Sequence, residues 1–472
     1  MKWHRWWLLL YGGLVVGVTF AAFHHWAYDD PFITFRYAEN LRSSLGFVYN
    51  PGERVLSTTT PLYTLLLAGL GYLWSDLPHL SNLISALSLA LSGVFLYLIG
   101  QRWGEPAAGL VTAALFPFFP LMATTFGAET CFYVMLILGA FVLYARERHL
   151  EAMALAALAT LTRADGALVA VMLGMAFFVT HRRIPWRPLL LFVLLIAPWY
   201  LFSWGYFGSP FPVTLTAKQH QAQMAISESF AQGFLRLLRG YARQPLYWLH
   251  GILALLGIGY AIFRNRRWLP FLSWGVLYFV SYTLLGVSRY FWYYVPLVPV
   301  ALAAVGLGVA AIKRCLPSPL IRGWRGVGLL ILLLALLLWP QGKGLRYMHD
   351  HPDRRAGIYR EIGMWLAENT PPEASVGTLE VGIIGYYAHR WMVDFAGLIQ
   401  PDVALQMGQE TTYQDTALWS AWRYHPDYLV LNSDWFPGLM HDVVSKRCAP
   451  LQTFVKEEYA GELVVYECNW TR

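Results

Sequence analysis

Apolar residues gather in long blocks through the first 340 positions, each closed by a short polar or basic cluster. Eleven blocks read as membrane-crossing helices: 8–26, 81–100, 107–124, 130–145, 150–162, 166–180, 188–204, 246–263, 268–286, 292–312 and 327–340. A spanning helix needs about 20 mostly apolar residues, fewer when it is short or tilted. Segment 61–75 is apolar too, but counting it as a span would invert every later loop. It reads instead as a helix lying along the membrane surface. From residue 341 the pattern changes: long apolar runs stop and Asp, Glu, Pro and Asn return. "YREIGMWLAEN" carries Ile358, Ile362, Trp365 and Leu366 at helical spacing, and short β-like runs follow in "ASVGTL", "RWMVDF", "DYLVLN" and "ELVVYE". The expected architecture is a polytopic α-helical membrane module over 1–340, with surface helices in a loop at 28–80 and a second long loop at 205–245. A small α/β domain over 341–472 completes it.

Composition agrees: 57% of the 472 residues are hydrophobic and only 13% charged, against about 25% charged in soluble domains. A sequence pI near 9.1 would also suit a nucleic-acid binder, but the basic residues sit in clusters between apolar runs. Fifteen of the 35 Lys and Arg fall in 1–6, 101–106, 145–149, 181–187, 264–267 and 313–325. That asymmetry predicts a cytoplasmic N-terminus and an extracytoplasmic tail in a multi-pass cell membrane protein. Block 8–26 resembles a secretory signal, but with no A-x-A-like site before the double aspartate it reads as an uncleaved anchor. The four cysteines form no metal pattern. An exported tail leaves open a bond between Cys448 and Cys468.

The chemistry concentrates at "AYDDPFITFRYAENL", just past the first span. Asp30–Pro31 suits a helix start, yet a cap needs one carboxylate and Asp29 supplies another. On the helix that follows, Ile33, Arg36, Tyr37 and Asn40 share one polar and aromatic face, which suits a cavity for a hydroxylated ligand. Glu129 also stands at a helix start, as a second acidic centre or merely a cap.

The run "DDPFITFRYAENLRSSLGFVYNPGE" followed by "TTTPLYTLLLAGL" resembles the first outer loop of the GT-C glycosyltransferases, above all the bacterial terminal arabinofuranosyltransferases. It is more distantly similar to lipid A aminoarabinose transferases and protein O-mannosyltransferases. "TFGAETCFYVML", "LTRADG", "FGSPFPVTLTAKQ", "SRYFWYYVPLVP" and "VDFAGLIQPDVA" resemble later family elements in order. The resemblance implies an inverting transfer of a monosaccharide, arabinofuranose-like or a hexose, from a polyprenyl phosphate to a glycan, lipid or protein hydroxyl outside the cell. It implies Asp29 as base, with Asp30 and Glu129 as further catalytic carboxylates. Lys218, Arg289 and then Arg163 would hold the donor phosphate. Arg36, Tyr37, Thr59, Thr60 and Tyr290 would contact substrate, Arg36 more through a neighbouring carboxylate than through phosphate. Paired carboxylates hold a divalent cation in some relatives; with no fuller ligand set here, no cofactor or metal is expected to be required. The chain departs from the aminoarabinose branch at Thr59 and Thr60, where that branch has Glu-Lys, and from the arabinosyl branch at Val213. Headgroup snorkelling accounts for basic residues without any substrate, most readily Arg236, Arg239 and Arg243. A transporter or lipid carrier is the competing class, but it would place charges mid-helix and show paired halves. A binding tail on a membrane anchor would not need eleven spans.

Overall fold

The computed structural model describes residues 2–224, 226–317, 323–432 and 434–471; positions 318–322 of the basic 313–325 cluster lie outside the described residues. Among the described residues, eight helices are long and apolar enough to cross a membrane. The chain is an integral membrane protein. The other three expected spans form apolar helices of 10, 16 and 14 residues, below the length of those eight. They are Pro106–Leu115, Thr130–Ala145 and His149–Thr162. Pro117 and Pro120 interrupt the first of these, since a proline inside a helix removes one backbone bond and clashes with the preceding turn. Thr130–Ala145 is buried along most of its length, so neighbouring helices rather than lipid satisfy it.

Proline also sets where helices begin. Pro31, Pro61, Pro106 and Pro245 each stand at a helix start, where the missing N–H costs nothing. Small residues let the apolar helices close on one another. Helices Pro245–Phe263 and Val298–Cys315 approach so tightly that a Cβ on Gly308 would lie 2.0 Å from the Leu253 carbonyl oxygen.

Past helix Gly323–Asp350 the chain folds into an α/β unit. Asp353 caps helix Arg354–Asn369 by accepting the Arg355 N–H at 3.0 Å, and Ile358, Ile362 and Leu366 bury completely. Five strands follow: β1 Ser375–Thr378, β2 Trp391–Asp394, β3 Tyr428–Leu431, β4 Cys448–Val455 and β5 Glu462–Cys468. They order as β2-β1-β3-β5-β4, with β1 parallel to β2 and β3 and the other pairs antiparallel. Strand β4 has no counterpart in the sequence reading. Its side chains are largely exposed and its register slips between Pro450 and Gln452, as suits an edge strand that tolerates proline. Cys448 and Cys468 pair across this edge and are joined by a disulfide.

The loop after the first helix does not stand apart from this unit. Phe32, Phe35, Tyr37 and Phe47 share one apolar cluster with Ile358, Ile362, Val381 and Ile384. This overturns the reading of Ile33, Arg36, Tyr37 and Asn40 as a ligand-facing surface. Helix Asp30–Arg42 turns that face into protein. Arg36 donates to the carbonyls of Tyr49 (2.9 Å), Gly385 and Arg390, not to a carboxylate. Tyr37 donates to Val55 O and accepts from Ser57 N at 2.9 Å. Asn40 binds Val48 O and Tyr49 O at 2.9 and 2.8 Å. A polar face buried against backbone carbonyls carries the same residue types as a polar face awaiting substrate.

Candidate active site

The first loop and the α/β unit meet at backbone level. Asp29 immediately precedes helix Asp30–Arg42 but makes no side-chain cap bond to it. Its two carboxylate oxygens instead accept the N–H groups of Gly382 (2.8 Å) and Ile383 (2.7 Å) in the α/β unit. Tyr49 donates to Val381 O at 2.5 Å, and Asn50 exchanges two 2.9 Å bonds with the Met392 backbone. A Cβ on Gly382 would lie 2.0 Å from the Asp29 carbonyl oxygen, so only glycine permits this approach. Gly382→Ala is therefore expected to push the α/β unit off the Asp29–Asp30 turn. Because displacement by ~1 Å costs about a hundredfold in rate, turnover of any reaction at this turn should fall by that order in the reconstituted variant, with faster proteolysis near residue 382.

Asp30, the first residue of the helix, points elsewhere. Its Oδ2 stands 3.3 Å from Lys218 Nζ, its side chain 35% exposed against 12% for Lys218. Helix Val213–Gln221 carries Lys218 into a box of aromatic faces, with Nζ 4.8 Å from the Tyr290 ring centre, 4.9 Å from Trp292 and 5.9 Å from Tyr293. Burial disfavours the ammonium, but Tyr293 and the Asp30 carboxylate more than offset it, so its pKa is raised.

This pair sits where two cavities meet. One, of about 720 Å³, lies between the bundle and the α/β unit; Asp29, Asp30, Arg289, Tyr290, Trp292 and Glu380 are among its walls. The other, of about 380 Å³, runs among apolar helices past Trp199, Tyr200 and Leu285, and its polar wall includes Thr59, Glu129, Arg163, Asp165 and Lys218. Trp292 lines both.

The structure thus divides the residues singled out from sequence. Asp29, Asp30, Arg289 and Tyr290 line the larger cavity, whereas Glu129, Lys218, Arg163 and Thr59 line the smaller. Arg36, Tyr37 and Thr60 line neither. Thr60 is 3% exposed and bonded within a cluster of Thr34 and Thr58 hydroxyls, so these three hold the loop rather than face a ligand. Arg289 pairs with Glu228 at 3.0 Å, and Arg236, set aside as a headgroup anchor, joins the same carboxylate and lines the larger cavity. Tyr290 donates to Gln221 at 2.8 Å. Glu129 does not cap helix Thr130–Ala145; it pairs with Arg163 at 3.4 Å. Arg163 also meets Asp165 at 3.1 Å and the Tyr282 hydroxyl at 3.0 Å, so two carboxylates already neutralise it.

Glu380 was not found from sequence, nor was Arg355, which donates to it at 2.8 Å and closes on Asp353 at 2.8 Å. A signal existed. Glu380 lies just past the carboxyl end of parallel strand β1, and Asp394 ends parallel strand β2; ligands of open α/β sheets gather at such ends. The buried Asp394 accepts the N–H groups of Ala396 (2.7 Å), Leu398 and Ile399 (3.1 Å). It thereby shapes the loop whose Ala396 and Leu398 line the larger cavity.

A family model described as a domain of unknown function (DUF8728) matches residues 347–466, and no curated protein matches the chain. Solved structures show the fold. ArnT from Cupriavidus metallidurans bound to undecaprenyl phosphate aligns with a TM-score of 0.64 at 16% identity, covering 98% of each chain. The chain carries the GT-C fold. The apo form of that ArnT gives 0.65 at 15%, again over 98% of both chains. Archaeal oligosaccharyltransferase AglB from Archaeoglobus fulgidus, in complex with an inhibitory peptide and a dolichol-phosphate, gives 0.59 at 14% identity, over 93% of this chain and 70% of that one.

Proposed function

We propose that the chain is an inverting glycosyltransferase that moves a monosaccharide from a polyprenyl phosphate to an acceptor hydroxyl at the extracytoplasmic face of the cell membrane. In this reading 1–340 is the catalytic membrane module and 341–472 an extracytoplasmic domain. The observation that carries it is the Asp30–Lys218 pair at the junction of two cavities. The smaller cavity runs among apolar helices and ends on an ammonium, which suits a lipid tail ending in phosphate. The larger opens under the α/β domain and ends on a carboxylate, which suits a polar acceptor. Structures of the same fold with undecaprenyl phosphate and dolichol-phosphate bound support a lipid phosphate as donor carrier.

Transfer needs a base for the acceptor hydroxyl and a cation for the departing phosphate. Asp30 suits the base better than Asp29, whose two oxygens already accept amide N–H groups. The acceptor oxygen attacks the anomeric carbon as its proton passes to Asp30. The carbon–oxygen bond to phosphate breaks, and the electron pair leaves on the polyprenyl phosphate beside Lys218. A single displacement inverts the anomeric centre. Arg163, held between Glu129 and Asp165, shapes the donor cavity, and Arg289 stands across the Trp292 wall from Lys218. The motif likeness favours an arabinofuranose-like sugar or a hexose on an envelope acceptor.

Reconstituted protein, given synthetic polyprenyl-phosphoryl arabinofuranose or mannose and a cell-envelope fraction, is expected to release free polyprenyl phosphate and leave an anomer of opposite configuration. Release with retained configuration, or none with any such donor, contradicts the reading.

A further inference from the structure

The smaller cavity holds a polar group that the protein itself leaves unsatisfied. Thr214, the second residue of helix Val213–Gln221, is 5% exposed and lines this cavity. Its Oγ1 has no hydrogen-bond partner among the described residues. Other helical threonines of the bundle bond the carbonyl four residues back: Thr112 to Ala108 O at 2.8 Å, Thr160 to Ala156 O at 2.8 Å and Thr283 to Phe279 O at 2.9 Å. Four residues before Thr214 stands Pro210, outside the helix, so that acceptor is missing. A buried hydroxyl left unpaired is costly, and the cavity is where a partner from outside the chain can reach it.

The turn that bears Thr214 is set for an anion. Pro212 leads into the helix, which begins without a side-chain cap. Val213 N–H is fixed on Leu56 O at 2.9 Å, which docks the helix start against the first loop. An uncapped helix start carries partial positive charge and N–H groups without intrahelical partners, a combination that favours anions. Thr214 and Lys218 are four residues apart, so they stand one above the other on one helix face, and both line the cavity. The two carboxylates of the same wall, Glu129 and Asp165, are both paired with Arg163.

We propose that the Thr214 hydroxyl, at the first turn of helix Val213–Gln221, is a second holding point for the lipid phosphate beside Lys218. The hydroxyl donates to one phosphate oxygen while the ammonium meets another. The walls of Trp199, Tyr200 and Leu285 take the chain behind it. Lys218 is shared with Asp30, so the ammonium alone leaves the phosphate free to turn about it. Two points on one rigid helix fix its orientation, and with it the direction in which the sugar faces Asp30.

The role rests on the reading of a lipid phosphate as donor carrier, and its test separates the two. Thr214→Val keeps the shape of the side chain and removes the hydroxyl; Thr214→Ser keeps the hydroxyl. In the full-length protein in lipid nanodiscs, affinity for undecaprenyl phosphate is expected to fall roughly tenfold to a hundredfold in T214V, the scale of one hydrogen bond to a charged group. T214S should stay within a few-fold of wild type. Undecaprenol, which lacks the phosphate, should bind all three proteins alike. With no such lipid added, T214V should be at least as thermally stable as wild type, because it deletes an unpaired buried hydroxyl. Equal affinity of wild type and T214V for undecaprenyl phosphate, a matching loss for undecaprenol, or a T214V melting temperature clearly below that of wild type overturns the assignment. In these cases the hydroxyl meets water, the lipid chain or the protein itself rather than phosphate. If wild type binds undecaprenyl phosphate no better than undecaprenol, the donor-carrier reading falls as well.

Discussion

Replacing Asp30 with asparagine is expected to cut transfer by about 10²–10⁴-fold, the usual contribution of a general base, while leaving the protein folded. Asparagine keeps the shape of the side chain and its first-turn position, but its amide cannot take the acceptor's proton. It also releases Lys218 from its 3.3 Å partner, so affinity for the lipid phosphate should hold or rise. The check is a single-turnover assay of polyprenyl phosphate release, paired with a donor-binding measurement on the same preparation. Asp29→Asn should behave differently. An amide cannot accept from both Gly382 and Ile383, so the docking of the α/β unit should weaken together with activity. If Asp29→Asn abolished turnover with docking intact while Asp30→Asn turned over normally, the base role would return to Asp29.

Lys218→Met carries the second large effect. Methionine keeps a flexible chain of similar length inside the box of Tyr290, Trp292 and Tyr293 but removes the cation that pairs with Asp30. Loss of one preorganised group that stabilises the leaving charge costs about 10²–10³-fold in kcat, and here the donor KM should rise as well because the same ammonium meets the ground-state phosphate. Arg163→Met serves as the contrast. It strands Glu129 and Asp165 as unpaired buried carboxylates, so the dominant result should be lower thermal stability, by several kcal/mol. A variant that loses donor affinity at Arg163 but not at Lys218 would relocate the phosphate.

Much of the membrane part was legible because the bilayer imposes a length and a polarity on every helix that crosses it. What sequence alone does not show is when protein replaces lipid as the surroundings. That is why 107–124 read as one long span although its helix ends at Leu115, and why the well-placed 130–145 is enclosed by its neighbours rather than by lipid. The Asp29–Asp30 turn stood out as charge where a membrane chain has little reason to place it, Lys218 and Tyr290 stood out through the family resemblance, and the fold brings them to one junction. Arg36 and Tyr37 stood out on a polar helix face and Thr60 through the resemblance, yet their polar groups are consumed by backbone carbonyls and neighbouring hydroxyls. Only the packed structure separates a satisfied polar face from a vacant one. Glu380 and Arg355 were out of reach because they join the site across more than 300 residues of chain, through the carboxyl end of a strand whose sheet order no local pattern encodes. Strand β4 escaped because an exposed edge strand with a proline lacks the alternation that marks a half-buried one.

The most direct test of the account is native mass spectrometry of undecaprenyl phosphate binding to the wild-type protein and to Lys218→Met in lipid nanodiscs. Specific one-to-one binding to wild type, displaced by excess lipid-linked sugar and lost in Lys218→Met, is the predicted result. Equal occupancy in both proteins, or none above that of a phospholipid of matched charge in wild type, would contradict it.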